Sequence, residues 1–224
     1  MTDPRVQQLT DFFGPDEPLD EELQAYVQRT GPLGPMVKHP LVFGPASTPG
    51  YLNRMLKQKK EQLERAEREG RWDTYLVLHE RPWRIPTLAT LVAQERLTRG
   101  QLQDLLLSTW MDTEFPHQFR GTPLELFTHA GFVTDNQVAW NALSAPLILY
   151  RGDSRRPRAT SLSWTLDEEK AKWFAKRWER QAHPGVVWRA HLLDKSKALA
   201  FVEGRNELEV VVSPKNLKWL QQLD

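Results

Sequence analysis

The sequence predicts an α+β protein, with a mainly helical region over residues 1–145 followed by a small β-sheet domain over 146–224. Three observations carry this reading. Apolar residues recur at helical spacing between Tyr51 and about Ala142. Short β-branched or aromatic runs replace them from Pro146 onward. Capping sequences mark where individual helices begin.

The first 50 residues are dense in proline and glycine, as in Gly14-Pro15-Asp16-Glu17-Pro18 and Gly31-Pro32-Leu33-Gly34-Pro35, which stops long helices. An extended arm or irregular wrapping over a neighbour is expected there, with room for one short helix between Asp20 and Arg29. From Tyr51 to about Arg71, Leu52, Met55, Leu56, Leu63 and Ala66 form a partial apolar stripe. Glu61–Arg65, Glu64–Arg68 and Glu67–Arg71 are i,i+4 pairs in the favourable order, and Gly70 is the expected stop. Further helices are expected over 72–79, 86–94 and 99–111. The last opens on Thr98-Arg-Gly-Gln101, a capping box, and turns Leu102, Leu105, Leu106 and Trp110 toward a core. Strands are expected at 147–151, 186–192, 198–202 and 207–212. Between the first two lies a helix over 167–178, with Thr165-Leu-Asp-Glu168 as its capping box and Ala171, Phe174, Ala175 and Trp178 as its buried stripe.

Bulk composition narrows the chemistry. Apolar residues at 40% and charged residues at 26% are ordinary globular values. Thirty Lys and Arg against 29 Asp and Glu give no general attraction to nucleic acid or a membrane surface. With no cysteine there are no disulfides, thiolate ligands or thiol nucleophile. The six histidines show no close ligand spacing, so no metal site is expected. No apolar run approaches the roughly 20 residues of a membrane span. The start, MTDPRVQQLTDFF, lacks a basic flank before an apolar stretch, so a cytoplasmic location is expected.

Three short motifs can carry chemistry. Tyr150-Arg151-Gly152 ends an apolar strand, where a guanidinium fork can meet a phosphate and glycine lets a ligand approach the backbone. Taken alone, a surface ion pair is the simpler explanation of the same arginine, since many strands end in Arg-Gly. In Ser161-Leu-Ser-Trp-Thr165, Ser163 can orient a carboxylate or a ribose hydroxyl, or serve only local backbone structure, while N-capping accounts for Thr165. In Glu207-Leu-Glu209, strand alternation points both carboxylates the same way at roughly 7 Å spacing, with Leu208, Val210 and Val212 on the core side. That face is either an exposed acidic surface or a catalytic pair. Arg155, Arg156 and Arg158 either add positive potential beside Arg151 or form a solvated basic loop.

The order of these motifs resembles the Arg-Ser-Glu class of mono-ADP-ribosyltransferases, which includes bacterial toxins and enzymes that bacteriophages use on host proteins. Leu162-Ser-Trp-Thr-Leu166 resembles the family's Ser-Thr-Ser segment with Trp164 in the middle place, and Glu207-Leu-Glu-Val-Val-Val resembles its Glu-x-Glu strand. The likeness spans roughly residues 146–214, about a third of the chain, and is nearer to compact phage-encoded members than to large toxins. Eleven residues separate Arg151 from Ser163, where better-known members insert a long helical stretch, and the loop before Glu207 is short.

The resemblance implies NAD⁺ as co-substrate and a macromolecular acceptor, with a protein arginine preferred and nucleic acid as the alternative. It implies that Glu209 stabilises the oxocarbenium-like transition state, that Glu207 activates the acceptor, and that Ser163 positions Glu209 and the ribose. Arg151 would pair with the pyrophosphate and the Gly152 backbone would meet the nicotinamide amide. Host cytoplasm is the implied location for a phage-encoded member. Another reading is a non-catalytic helical adaptor that keeps the fold alone.

Overall fold

The computed structural model describes residues 17–29, 34–113, 121–153, 161–177, 179 and 184–223. Among the described residues the fold is mixed α+β with two sheets, and the chain divides into two compact units, 1–88 and 89–224. The composition change at Pro146 falls inside the second unit, where the central strands begin. None of the helices among the described residues is long and apolar enough to cross a membrane.

In the first unit a short helix, α1 (Glu21–Gln24), starts where the Asp20 side chain accepts from the Glu22 amide at 2.9 Å. A three-stranded antiparallel sheet follows, formed by β1 (Val27–Gln28), β2 (Met36–Lys38) and β3 (Phe43–Pro45). Beyond a short helix, the sequence suggested only extended or irregular chain here and no sheet. Strands of two or three residues are too short to display alternation, so proline and glycine dominate the local signal. Residues 1–16 and 30–33, which hold much of the expected arm, lie outside the described residues.

Helix α2 (Pro49–Arg68) buries Leu52, Leu56 and Ala66, three of the expected stripe. Leu52 and Leu56 join Leu23, Val37, Leu41 and Val42 in the core of this unit. Gly70 follows with φ +64°, a left-handed position that glycine occupies without penalty and that ends the helix. Helix α3 spans Trp72–Leu78. Helix α4 (Arg81–Ala93) begins at Arg81 instead of Pro86, with Pro86 inside it.

In the second unit, after the last residues of α4, comes α5 (Arg99–Asp112), whose expected capping box forms in full between Thr98 and Gln101. Its buried face carries Leu102, Leu105, Leu106 and Trp110. Trp110 meets Phe127 of α6 (Thr122–Ala130) edge-on at 5.1 Å. After β4 (Val133–Thr134), helix α7 (Gln137–Ala142) starts at an Asn136 cap.

Seven strands form the main sheet in the order β10–β7–β5–β6–β9–β8–β4. They are β5 (Leu147–Asp153), β6 (Ser163–Thr165), β7 (Val186–Leu192), β8 (Ala198–Val202), β9 (Glu209–Val212) and β10 (Lys218–Leu223), besides β4. All neighbours are antiparallel except β4 and β8. Leu147, Leu149, Trp164, Ala190, Leu192, Phe201, Val210 and Val212 build one core with Trp140 of α7. Helix α8 (Glu168–Arg177) covers the other face of β5. A Cβ at Gly152 would lie 1.9 Å from the Ala171 carbonyl oxygen, and one at Gly185 would lie 2.1 Å from that of Ala175. The two glycines therefore let α8 sit directly on the sheet.

The α8 cap differs from the expected Thr165–Glu168 box. Asp167 supplies it, accepting from the Lys170 amide at 3.1 Å, while Thr165 Oγ1 accepts from the Asp167 amide at 3.0 Å. Thr165 is still in β6 and cannot act as the cap itself. Trp178, the last residue of the expected stripe, lies outside the described residues. Strand β10 had no sequence signal: Lys218 to Gln222 are all exposed, so neither alternation nor an apolar run marks it.

Candidate active site

Tyr150-Arg151-Gly152 lies on β5, Ser163 opens β6, and Glu209 opens β9, so strand order makes the three motif strands neighbours in the middle of the sheet. Register, however, sets Tyr150, Thr165 and Glu209 on one face, so Arg151 leaves β5 on the face opposite Ser163 and Glu209. Strands β5 and β6 share only one paired position, Tyr150 with Thr165. There a guanidinium supplements the ladder: Arg151 Nη1 donates to the Ser163 carbonyl at 2.7 Å. Its Nε and Nη2 donate to Asp153 Oδ2 at 3.1 and 2.9 Å. Asp153 was not expected in the site, although two residues beyond Arg151 on one strand it shares the arginine's side of the sheet.

In β6 the residues alternate in role. Trp164 is 2% exposed within the core, and its Nε1 donates to the Ser161 carbonyl at 2.9 Å. Ser163 and Thr165 point to the other side, opposite Val211 and Glu209 of β9 respectively. Thr165 is thus the direct cross-strand neighbour of Glu209, and Ser163 is one pleat away. Thr165 Oγ1 also donates to the Glu207 carbonyl, and the Leu166 amide donates to that of Leu208 at 3.1 Å. Together these bonds pin the Glu-Leu-Glu segment to the end of β6.

That segment is not a regular strand. Leu208 has φ +44°, in the left-handed region, and β9 starts only at Glu209. The expectation that alternation alone aligns Glu207 with Glu209 is therefore corrected. The two carboxylates converge through Arg205, whose Nη2 lies 3.1 Å from Glu207 Oε2 and 2.9 Å from Glu209 Oε2. Leu208 packs against the core beside Val210 and Val212, as expected.

Glu209 is 3% exposed. Its Oε1 accepts from Trp110 Nε1 at 3.0 Å and its Oε2 from Arg205 Nη2 at 2.9 Å. Charge-assisted bonds of this kind satisfy a buried carboxylate that would otherwise be strongly disfavoured. Trp110 was expected to face a core, and nothing in the local sequence separates an indole that packs from one that also donates. Arg205 Nη1 donates to the Met111 carbonyl at 2.7 Å. Asp135 holds the base of the Arg205 turn by accepting from the amides of Glu203 at 2.9 Å and Gly204 at 2.7 Å.

Glu207 is partly buried, and this raises its pKa above the ordinary glutamate value. The negative charge of Glu209 reinforces the rise and Arg205 opposes it. Gly152 has a complete packing explanation in the approach of α8. Arg155, Arg156 and Arg158 lie outside the described residues. Among the described residues no group of three or more His, Asp and Glu side chains is arranged to hold a metal ion. Comparison with protein families, characterised proteins and solved structures finds no match.

Proposed function

We propose that this chain is a mono-ADP-ribosyltransferase that cleaves NAD⁺ and transfers ADP-ribose to a macromolecule, preferably to arginine on a protein. The observation that carries the reading is the convergence of Glu207 and Glu209 on one guanidinium nitrogen, with Glu209 buried and oriented from α5. The pair already binds, within the chain, the chemical group that an arginine acceptor presents. The adjacency of β6 and β9, which sets Ser163 and Thr165 on the same face as Glu209, adds support.

In this mechanism nicotinamide leaves the ribose anomeric carbon, and Glu209 stabilises the developing oxocarbenium ion and the 2′-hydroxyl. The acceptor nitrogen then bonds to that carbon as its proton passes to Glu207. Arg151 pairs with the pyrophosphate, releasing Asp153, and Ser163 faces the ribose from β6. The Gly152 backbone meets the nicotinamide amide. Such an enzyme would act in the cytoplasm, or in a host's cytoplasm if phage-encoded.

One observation favours a non-catalytic adaptor instead: both Glu209 oxygens already carry protein donors. Release of nicotinamide by the purified protein, with labelled NAD⁺ and a cell lysate as acceptor, separates the two. Label on lysate protein is expected with the wild type. Glu209→Gln is expected to abolish both transfer and hydrolysis, and Glu207→Gln to keep hydrolysis while losing transfer to arginine. Absence of both nicotinamide release and NAD⁺-dependent thermal stabilisation would refute the transferase reading.

A further inference from the structure

Glu209 meets two donors of unlike kind. Trp110 is 2% exposed on α5 and packed against Phe127, so its Nε1–H is a permanent partner of Oε1. Arg205 instead stands on an exposed turn between β8 and β9, and its Nη2 covers Oε2. At 3% exposure Glu209 leaves little approach for a ligand while that guanidinium lies across it.

We propose that Arg205 is an internal latch on Glu209, holding the position a ribose hydroxyl must take and swinging out to admit the nucleotide. The proposal rests on the reading of Glu209 as the catalytic carboxylate. The turn has the form such a motion needs. Its base is clamped by Asp135 on the Glu203 and Gly204 amides, and Arg205 lies just beyond that clamp. Arg205 sits within the reversal itself, a turn closed by the Asn206 amide donating to the Glu203 carbonyl at 2.7 Å, with Asn206 left-handed at φ +54°. Arg205's remaining partners, the Glu207 carboxylate and the Met111 carbonyl, lie at the same end of the side chain. One swing therefore breaks all three contacts together, and the freed guanidinium is solvated. An arginine acceptor presents the same group to the same two carboxylates, so it inherits the place that the latch leaves.

The test compares wild type, Arg205→Ala and Arg205→Lys, whose single ammonium cannot serve the three acceptors in the same geometry. If the latch is closed in about nine molecules of ten, Arg205→Ala lowers the KM for NAD⁺ about tenfold with kcat little changed, and Arg205→Lys falls between. A fall in kcat at constant KM, or no change, overturns the latch. A second arm needs no NAD⁺: carbodiimide-driven coupling of an amine to carboxylates, read at Glu209 by peptide mass spectrometry. Glu209 is expected to stay unmodified in the wild type and to react in Arg205→Ala, or in Arg205→Lys alone if the alanine variant no longer melts cooperatively. Equal modification in wild type and folded variants overturns the latch. Unequal modification without nicotinamide release from any of the proteins upholds the latch and removes the NAD⁺ reading.

Discussion

Replacing Trp110 with Phe takes one donor from the buried Glu209 carboxylate while keeping most of the ring that packs edge-on against Phe127. Two costs add. A hydrogen bond to a charged group contributes about 1.5–3 kcal/mol. The smaller ring leaves a void in a region only 2% exposed, which costs about 1 kcal/mol more. Arg205 still holds the other oxygen, so the carboxylate is not orphaned and the loss should total about 2.5–4 kcal/mol. For a chain of this length each kcal/mol lowers the thermal midpoint by roughly 2–4 °C. Trp164→Phe is the internal control, because Trp164 is equally buried but its Nε1 donates to the neutral Ser161 carbonyl. That bond is worth only about 0.5–1.5 kcal/mol, so the control should lose less. The assay is urea denaturation of both variants with the slope checked for constancy. A Trp110→Phe loss below about 1 kcal/mol, or no larger than that of Trp164→Phe, would mean that the indole does not hold Glu209 and would refute the reasoning.

Other perturbations follow from the same structure. Gly152→Ala drives a methyl group into the α8 backbone at Ala171 and Ala175, and should destabilise by about 1–3 kcal/mol or more on the same denaturation assay. A variant as stable as wild type would mean that α8 does not approach so closely. Burial raises the Glu207 pKa, so its protonated form suits the fold and its contribution is lost as pH rises through the folded value. Glu207→Gln should therefore gain stability relative to wild type as pH rises above the ordinary glutamate value; a pH-independent difference would contradict this. Burial lowers the His39 pKa from the ordinary histidine value, against the opposing pull of the Glu22 carboxylate 3.1 Å from its Nε2, and its Nδ1 accepts from the Leu41 amide at 3.1 Å. Its contribution is present above the unfolded value and is lost as pH falls through the folded one. His39→Gln should flatten the acid side of the stability curve, and an unchanged slope in urea titrations below pH 6.5 would count against it. Arg151→Lys cannot reach both the Ser163 carbonyl and Asp153 with one fork, so NAD⁺ affinity should fall in calorimetry. Equal affinity would remove Arg151 from the nucleotide site.

Local physics determined the parts of this protein that local residues control. The helix over 99–112 has a reciprocal cap, Thr98 with Gln101, and a stripe of the correct period, so its start and buried face are written within a few turns of chain. Strands β7 and β8 are apolar runs between turn residues, and they appear where those runs lie. The Arg, Ser and Glu motifs were also legible as candidates, because strand ends, turns and carboxylate spacing are local features. What no segment encodes alone is partnership. That Thr165 faces Glu209 across β6 and β9 is a register decided by how the whole sheet closes. That Leu208 turns left-handed, so Arg205 gathers two glutamates, is decided by the packing of Leu208 into the core and its carbonyl bond to Leu166. Trp110 reaches Glu209 across 99 positions of sequence, a contact that exists only once α5 lies on the sheet. The short β1–β3 sheet and the exposed β10 were likewise invisible, since strands stabilised by their neighbours need carry no apolar signature of their own.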